Sequence, residues 1–407
     1  MKRSFVFAVI AAAMIALSSA GRGQALNSIR IGYAISLTGP GELGAAVTQL
    51  PNYRLWVKDV NAAGGIMLSS IGKRVPIEVI EYDDHSNLDD AVNAVERLMS
   101  ADKVDFVLPP WGTGLNVAVG PLFNRGGYPD LVVTAVTDQE LELAKRWPNS
   151  FWFNCTATGA AQAFVETIAK LHEANKVTGR MAMVSLADQF GIGMAKAARR
   201  VLKKNGFELV YDRSYPVEFS DMRPMMAELK QLDPDVFAAF SYPPDTMTIT
   251  YAARSVGFNP KVFYTAVGTA FPMYKQNFGA DAEGVMGIGG WNPDSPESKA
   301  YFERHVAETG QEPDRWSSPI VYASLQMLQQ AIERVGRIDR VAVIKELQTG
   351  TFQTIVGPIK LKDNLYTDAW HVGQWQHGEY YGLAPATLPG ARAVLFPKPP
   401  WRATAEP

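Results

Sequence analysis

Apolar and polar positions along the chain follow two alternating patterns, one typical of buried strands and one typical of helices. Parallel strands that are covered on both faces read as nearly continuous apolar runs. A first series of such runs predicts strands at Ile29–Ile35, Pro76–Tyr82, Val104–Leu108 and Leu131–Ala135. A second series predicts strands at Met181–Leu186, Glu208–Tyr215, Val236–Tyr242, Val262–Ala266 and Val285–Gly289.

Segments with helical spacing separate these runs. One helix face is predicted from Ala91, Val95, Leu98 and Met99, and another from Ala195, Ala198, Val201 and Leu202. Asn87 is a candidate cap for the first helix, and Gly206 lies just beyond the second. Further helices are predicted at Pro296–Glu308 and Ser318–Val335, followed by a tail with strand character from Phe352 to Tyr381.

Strands that alternate with helices in this way predict α/β architecture with parallel, doubly wound sheets. The alternation runs twice, over Ile29–Phe153 and Thr158–Gly290, which predicts two lobes. In open sheets of this class a ligand binds at the carboxyl ends of the strands. The last residues, Pro397–Pro407, are rich in proline, and we expect them to be frayed.

The first residues have the pattern of a secretory signal peptide. Lys2 and Arg3 precede an apolar run from Phe5 to Leu17, and small residues then allow cleavage after Ala20 or Ala25. The run is shorter than the roughly 20 residues that span a bilayer, which argues against a membrane anchor. We therefore predict export, with residues 1–25 as the signal peptide.

Composition excludes several classes of protein. Cys155 is the only cysteine, so the fold has no internal disulfide. The formal charge of the chain is −2 and no basic cluster follows the signal, which gives no support for a nucleic-acid partner. The mature chain exceeds the size at which single cores stop growing, which again favours two domains.

The common catalytic signatures are missing. The sequence contains no GxxxxGK[ST], GxSxG or HExxH motif, and the five histidines lack the spacing of metal ligands. Asp83 and Asp84 follow a predicted strand directly, where acids commonly complete a turn. We predict no catalytic residue, no cofactor and no metal. An exported hydrolase that uses Asp83, Asp84 or His85 stays as an alternative.

Two loops at predicted strand ends are suited to binding an anion. Trp111–Gly114 follows the strand Val104–Leu108 and opens a helix, where free backbone N–H groups and the Thr113 hydroxyl favour a carboxylate. Thr134, Ala135 and Thr137 end the next strand, and we expect them to converge on the same point. The alternative is that Trp111 only packs between strand and helix.

Several segments, in this order and at these intervals, resemble the periplasmic leucine/isoleucine/valine-binding proteins, which are amino-acid receptors of ABC importers. The similar segments are Ile31–Pro40, Val60–Ile66 (VNAAGGI), Tyr82–Asp84, Phe190–Gly193 and Asp233–Val236 (DPDV). The resemblance implies a type I periplasmic-binding fold, with two Rossmann-like lobes joined by three crossing strands that act as a hinge. It implies lobe one at 28–153 plus 290–349, lobe two at 154–289 plus 350–395, and a tail at 396–407.

The resemblance also implies a ligand site between the lobes. Its carboxylate-binding positions correspond to Gly112, Thr113 and Thr137, with Ala135 contributing backbone. Phe190 takes the place of a tyrosine, Tyr242 retains one, and Leu43 replaces an aromatic residue of the first loop. The site would hold an amino acid or a small aromatic or aliphatic carboxylate.

Val267 is the departure with the largest consequence, because it stands where the family's glutamate would bind an α-ammonium group. Burying an ammonium group without an anionic partner costs several kcal/mol. Either the ligand is a carboxylate without the amine, or Asp188 or Asp245 supplies the charge.

The resemblance implies a periplasmic monomer that delivers its ligand to ABC permease subunits. A ligand sensor of the same fold, which passes its signal to a regulatory partner, is the other binding alternative.

Overall fold

The computed structural model describes residues 26–217, 219 and 221–402. The predicted signal peptide lies outside the described residues. The strands are β1 Ile29–Ile35, β2 Ile66–Leu68, β3 Lys73–Val75, β4 Ile77–Asp83, β5 Phe106–Leu108, β6 Asp130–Val132, β7 Ser150–Trp152, β8 Arg180–Leu186, β9 Glu208–Tyr215, β10 Val236–Phe240, β11 Val262–Thr265, β12 Met286–Gly287, β13 Phe352–Thr354, β14 Gly357–Ile359, β15 Val372–Gln376 and β16 Glu379–Ala384. The helices are α1 Glu42–Thr48, α2 Leu50–Ala62, α3 Leu88–Ser100, α4 Thr113–Gly126, α5 Glu140–Arg146, α6 Ala157–Glu173, α7 Gln189–Lys204, α8 Arg223–Leu232, α9 Pro243–Val256, α10 Pro272–Phe278, α11 Pro296–Thr309, α12 Ser318–Val335 and α13 Arg340–Thr349.

The N-terminal strands form parallel pairs whose faces are covered by helices. β1 lies between β4 and β5, and β6 pairs with β7 beyond them. β5 and β6 lie side by side, so the strands run in the order β4-β1-β5-β6-β7. Helices α3 and α4 pack against each other over this layer, and their apolar residues form one of the cores.

The larger sheet has seven strands in the order β16-β15-β12-β11-β10-β8-β9. The strands from β12 to β9 are parallel, whereas β15 and β16 join them as an antiparallel hairpin. The parallel part repeats the order of the N-terminal strands, since β8 again lies between the strands that follow it in the chain. The parallel sheets and the two successive series of strands predicted from the sequence are therefore both present.

This strand order determines where a ligand can bind. In each sheet the chain moves to opposite sides after its first strand, and a crevice opens at the carboxyl ends where the order reverses. The crevice lies between β1 and β5 in one sheet and between β8 and β10 in the other. The loops and helix starts that follow these four strands contain Leu43, Trp111, Phe190 and Tyr242.

Several predicted elements match and a few are shorter than expected. Asn87 caps α3 by accepting the N–H groups of Asp89 and Asp90, and Gly206 follows α7 with φ +76°. Two strands are shorter than predicted, β5 at its start and β6 at the edge where the loops of the crevice begin. β5 starts at Phe106 instead of Val104, and β6 ends at Val132 instead of Ala135.

The C-terminal segment up to residue 402 is bound to the larger sheet, so the expectation that Pro397–Pro407 is frayed is wrong for residues 397–402. The Lys398 N–H donates to the Lys261 carbonyl at 2.9 Å, and Trp401 Nε1 donates to the Phe258 carbonyl at 2.6 Å. The Lys398 side chain is buried and donates to Asn259 Oδ1 at 2.6 Å. Single side chains therefore anchor a segment that has no periodic apolar pattern.

The tail after residue 350 divides its contacts between two neighbours. The β13–β14 hairpin packs on α12, and Gln326 Oε1 accepts the Ile355 N–H at 2.9 Å. Residue Tyr366 still donates its N–H to the Trp152 carbonyl at 2.8 Å. From Val372 onward the chain belongs to the larger sheet, where Trp375 Nε1 donates to the Thr269 carbonyl at 2.8 Å.

Membrane-spanning helices and metal sites are two features that the described residues lack. Over the described part of the chain, no helix combines the length and apolar character needed to cross a bilayer. Within the same ranges no cluster of three or more histidine, cysteine, aspartate or glutamate side chains has the arrangement of a metal site.

Asp130, at the start of β6, is a buried acid with an energetic cost. Neither of its carboxylate oxygens has a hydrogen-bond partner among the described residues. Burial raises the pKa of Asp130 from 3.8 to about 8. The folded chain therefore keeps a proton that the unfolded chain releases, and stability falls as the pH rises from about 4 to about 8.

We predict that Asp130→Asn raises the free energy of unfolding at pH 7.5 by on the order of 2 kcal/mol, because the amide has no proton to hold. Thermal melts between pH 4 and pH 8 would show a gain that shrinks toward pH 4. Asp363→Asn is the matched control, since Asp363 is exposed and should change stability little. A gain that does not depend on pH would contradict this account of Asp130.

Candidate functional site

Three aromatic side chains from both crevices meet in one cluster. The Trp111 ring lies 4.9 Å from the Tyr242 ring, at 57° to it. Tyr242 stacks on Phe190 at the same distance, with an angle of 12° between the ring planes. Trp111 follows β5 of the N-terminal sheet, whereas Phe190 and Tyr242 follow β8 and β10 of the larger sheet. The cluster therefore joins the two sheets at their crevices.

The Trp111 loop approaches helix α1 so closely that only glycine fits there. A Cβ atom at Gly44 would lie 2.1 Å from Trp111 Cζ2, and Gly112 has φ +91°. Trp111 is 3% exposed, and its indole Nε1 has no acceptor among the described residues. Trp111 thus packs against a helix, as the alternative held, and its indole N–H is a buried donor without a partner among the described residues.

Hydroxyl groups hold the two predicted anion-binding loops together. The Gly112 N–H donates to Thr134 Oγ1 at 3.0 Å, and the Val136 N–H donates to Thr113 Oγ1 at 3.0 Å. Residues 134–137 therefore do converge on the Trp111–Gly114 loop, and Ala135 lies between the two bonded positions. The N–H of Gly112 is already satisfied, so it is not one of the free donors expected at this loop.

Gln49 also belongs to this hydrogen-bond network, and the sequence did not predict its role. Its Oε1 accepts from Thr134 Oγ1 at 2.9 Å, and its Nε2 donates to the carbonyls of Pro109 and Pro110 at 3.1 and 3.3 Å. The side chain is fully buried between α1 and α2. A lone amide within an apolar stretch was the available signal, because such a group needs buried partners.

The Tyr242 hydroxyl lies at the start of α4. A Cβ atom at Gly112 would be 3.6 Å from Tyr242 Oη. Burial and the negative charge of Asp188 raise the pKa of Tyr242 well above its ordinary value, while the N–H and hydroxyl of Thr113 oppose this rise. The tyrosine oxygen thus lies close to Thr113, whose hydroxyl donates to the Val136 carbonyl at 3.5 Å. This is the position that the sequence assigned to a ligand carboxylate.

Electrostatics differ between the two sides of the cluster. Helix α4 has no acidic residue in its first turn, so the partial positive charge of its N-terminus is uncompensated. By contrast, Asp188 caps α7 by accepting the Gly191 N–H at 2.7 Å, and Asp245 lies in the first turn of α9. Burial raises the pKa of Asp188, and burial together with the charge of Asp188 raises that of Asp245 to about 6.

The remaining predicted site residues lie around this cluster at different depths. Thr137 is 7% exposed, and its hydroxyl accepts the Gln139 N–H at 3.2 Å. Leu43 is half-buried on α1, which contacts α9. Val267 is buried, and its backbone binds Ser241 and Thr246 within the larger sheet. Thr137, Leu43 and Val267, like the other predicted site residues, remain predictions as ligand contacts.

A second connection between the two halves of the molecule was not anticipated from the sequence. Asp138, in the loop after β6, accepts the Thr158 N–H at 2.6 Å and the Thr158 hydroxyl at 2.7 Å at the start of α6. Arg200 of α7 donates to the same carboxylate at 3.2 Å. The loop that contains Thr137 is thus tied to two helices of the following sheet.

The Asp83–Asp84 pair has the turn-completing role predicted for it. Asp83 Oδ1 accepts the N–H groups of Leu37, Thr38 and His85 at 2.8 to 3.3 Å. Asp84 Oδ1 accepts from the Ser36 hydroxyl and the Ser86 N–H at 2.7 and 2.8 Å. These contacts leave the pair engaged in holding the loop after β1.

Proteins of known type are similar in sequence to this chain over most of its length. The family described as periplasmic binding protein matches residues 28–379. A Leu/Ile/Val-binding protein homolog 7 of Brucella abortus is 24% identical over 349 residues, which cover 82% of this chain and 84% of that protein.

Solved structures show the same fold. A branched-chain amino acid transporter substrate-binding protein of Streptococcus pneumoniae, in complex with isoleucine, superposes with a TM-score of 0.73 at 20% identity and covers 87% of this chain and 97% of that one. A solute-binding protein of an R. palustris ABC transporter, in complex with benzoate, also gives 0.73 at 18% identity, with coverage of 88% and 95%.

The type I periplasmic-binding fold predicted from the sequence, with its two Rossmann-like lobes, is therefore confirmed. The structures that share this fold bind solutes, in keeping with a cluster whose polar groups are donors and caps. The chain belongs to the periplasmic binding protein family.

Proposed function

We propose that this chain is the periplasmic solute-binding protein of an ABC importer, and that it holds a small organic carboxylate or amino acid between its lobes. The observation that carries the proposal is the position of the Tyr242 hydroxyl against the start of α4. A side-chain oxygen of one lobe there lies against the helix start of the other lobe that is suited to an anion. The ligand carboxylate takes that position when the solute binds.

The carboxylate end of the ligand binds at Thr113. The N-terminus of α4 carries partial positive charge with no acid in its first turn, and helix N-termini are established anion sites. Thr137, in the adjoining loop, has a hydroxyl that accepts the Gln139 N–H and keeps its own proton to donate. Neither group carries a full charge, which suits reversible binding.

The apolar body of the ligand lies between the rings of Trp111 and Phe190. Both rings are buried and belong to opposite lobes, so a flat or branched apolar group that displaces Tyr242 is covered from both sides. The unsatisfied Trp111 Nε1 supplies one further donor to a ligand oxygen. Apolar pockets with few fixed polar groups are typical of small-molecule sites.

Lobe closure brings these walls together. We assign lobe one to 28–153 plus 290–366 and lobe two to 154–289 plus 372–402, since residues 352–366 contact α12 and Trp152. The bonds of Asp138 to Thr158 and Arg200 then cross between lobes and stabilise the closed form. A permease reads this closed form in the periplasm, after the signal peptide has directed export.

Whether the ligand carries an α-amine depends on the residues Val267 and Asp188. Val267 provides no charge, whereas Asp188 lies beside the Tyr242 hydroxyl and pairs with no basic side chain within the described ranges. A ligand without the amine needs neither residue. An amino acid places its ammonium group toward Asp188, opposite the end of α4.

We predict that acids of the right shape stabilise the mature protein in a thermal-shift screen of branched-chain amino acids, benzoate-type acids and aliphatic acids. A ligand present at 100 times its dissociation constant adds about 2.7 kcal/mol to the free energy of unfolding. Amides of the same acids should give no shift, because the end of α4 favours the negative charge. Stabilisation by amides and not by acids would sink the proposed site.

Two variants test whether each acid that stabilises the protein binds at the proposed site. Trp111→Leu removes the ring and the indole donor and should abolish the shift. Asp188→Asn keeps the cap of α7, since asparagine caps as well as aspartate. This variant should weaken binding of a ligand with an α-amine by tenfold or more, at about 1.4 kcal/mol per tenfold, and leave an acid without the amine unaffected.

We predict that Thr113→Val weakens ligand binding about tenfold, while Thr113→Ser keeps it within about threefold, because the serine hydroxyl still accepts the Val136 N–H. Isothermal titration calorimetry with the best acid from the screen measures both. Circular dichroism checks that each variant is folded. Equal affinity of the valine and serine variants would mean that the hydroxyl does not position the anion-binding loops.

A further inference from the structure

A groove separate from the aromatic cluster lies where the chain passes between the two sheets. Its volume is about 680 Å³, within the range of about 300–1,000 Å³ that is usual for small-molecule sites. Five segments line it: residues 291–302, α12, the β13–β14 hairpin, residues 366–370 and residues 388–389. We call it the Trp291 groove. None of the cleft residues Leu43, Trp111, Thr113, Phe190 or Tyr242 lines it.

The wall of the Trp291 groove is aromatic and fixed in place. Trp370 is packed so closely that a Cβ atom at Gly382 would lie 2.3 Å from its ring, and one at Gly290 2.9 Å from it. Trp291 is held through its backbone N–H, which donates to the Arg315 carbonyl at 3.0 Å. Half-buried Tyr366 and Trp291 therefore present ring surface to solvent on a rigid backbone.

The rim of the groove carries negative charge without a counter-charge. Asp294, Glu297 and Asp368 line it, all three are exposed, and none forms an ion pair in the described parts of the chain. No lysine or arginine is among the lining residues. Arg315 is a nearby cation, but it lies buried over the ring of Phe302 and is paired with Glu312 and Glu379.

Aromatic faces beside unpaired carboxylates favour one class of ligand. A cation over a tryptophan or tyrosine face gains from the ring quadrupole, and this gain is largest for weakly hydrated organic cations. Anions are repelled by the rim, and neutral solutes gain only from apolar contact. We infer that the Trp291 groove is a second ligand site, which binds a small organic cation such as a quaternary or alkylated ammonium compound.

The test uses choline as the probe and 3,3-dimethylbutan-1-ol as its neutral carbon isostere, with tryptophan fluorescence and calorimetry on the mature protein. We expect saturable one-to-one binding of choline that is about tenfold tighter than that of the alcohol, because a desolvated cation over tryptophan gains ~1–2 kcal/mol. The double variant Asp294→Asn with Asp368→Asn should weaken choline binding by about tenfold or more. Trp291→Leu should do so too, and Trp291→Phe should restore part of it.

Matched variants separate this site from the cleft. Glu142→Gln changes an exposed acid of α5 outside the groove and should leave choline binding unchanged. Trp111→Leu should also leave it unchanged while abolishing the carboxylate shift. Loss of choline binding in Trp111→Leu with retention in the groove variants would overturn the inference and place the cation in the cleft. No saturable binding of choline, or equal affinity for the alcohol, would overturn it as well.

Discussion

Parallel strand pairing is the constraint on which the rest of this structure depends. Parallel neighbours cannot be joined by a tight turn, so each strand is followed by a helix that returns across the sheet. Every strand of a parallel set therefore ends at the same edge, and every following helix begins there with its N–H groups unpaired. In this chain two such edges face each other, and the ends of β5, β8 and β10 bring Trp111, Phe190 and Tyr242 into contact.

The difference between the two edges follows from local capping. Asp188 and Asp245 neutralise the starts of α7 and α9, whereas α4 begins at Gly112 and Thr113 with no acid nearby in sequence. Gly112 is required there because its φ of +91° is rarely adopted by residues with a side chain. The asymmetry gives the cleft one end that attracts negative charge and another that already carries it.

Much of this arrangement could be predicted from residues alone. The apolar runs located the strands, Asn87 and Gly206 marked helix ends, and the turn at Asp83 and Asp84 followed from their position after a strand. What could not be predicted depends on contacts between distant segments. The early end of β6 reflects side-chain bonds in the segment that follows it, where Thr134 donates to Gln49 and Thr113 accepts the Val136 N–H. The bound tail, with Lys398 and Trp401, depends on two side chains that no periodic pattern announces.

The position of Tyr242 has a further consequence for the strength of binding. Its hydroxyl lies at the start of α4, so in the proposed site a solute carboxylate competes with a group of the protein itself. A tethered competitor acts at a high effective concentration that dilution cannot reduce. The measured affinity of any solute is then its intrinsic affinity multiplied by the fraction of molecules in which the tyrosine has moved away. In the proposed site the same side chain favours release, because it refills the vacated position as the solute leaves.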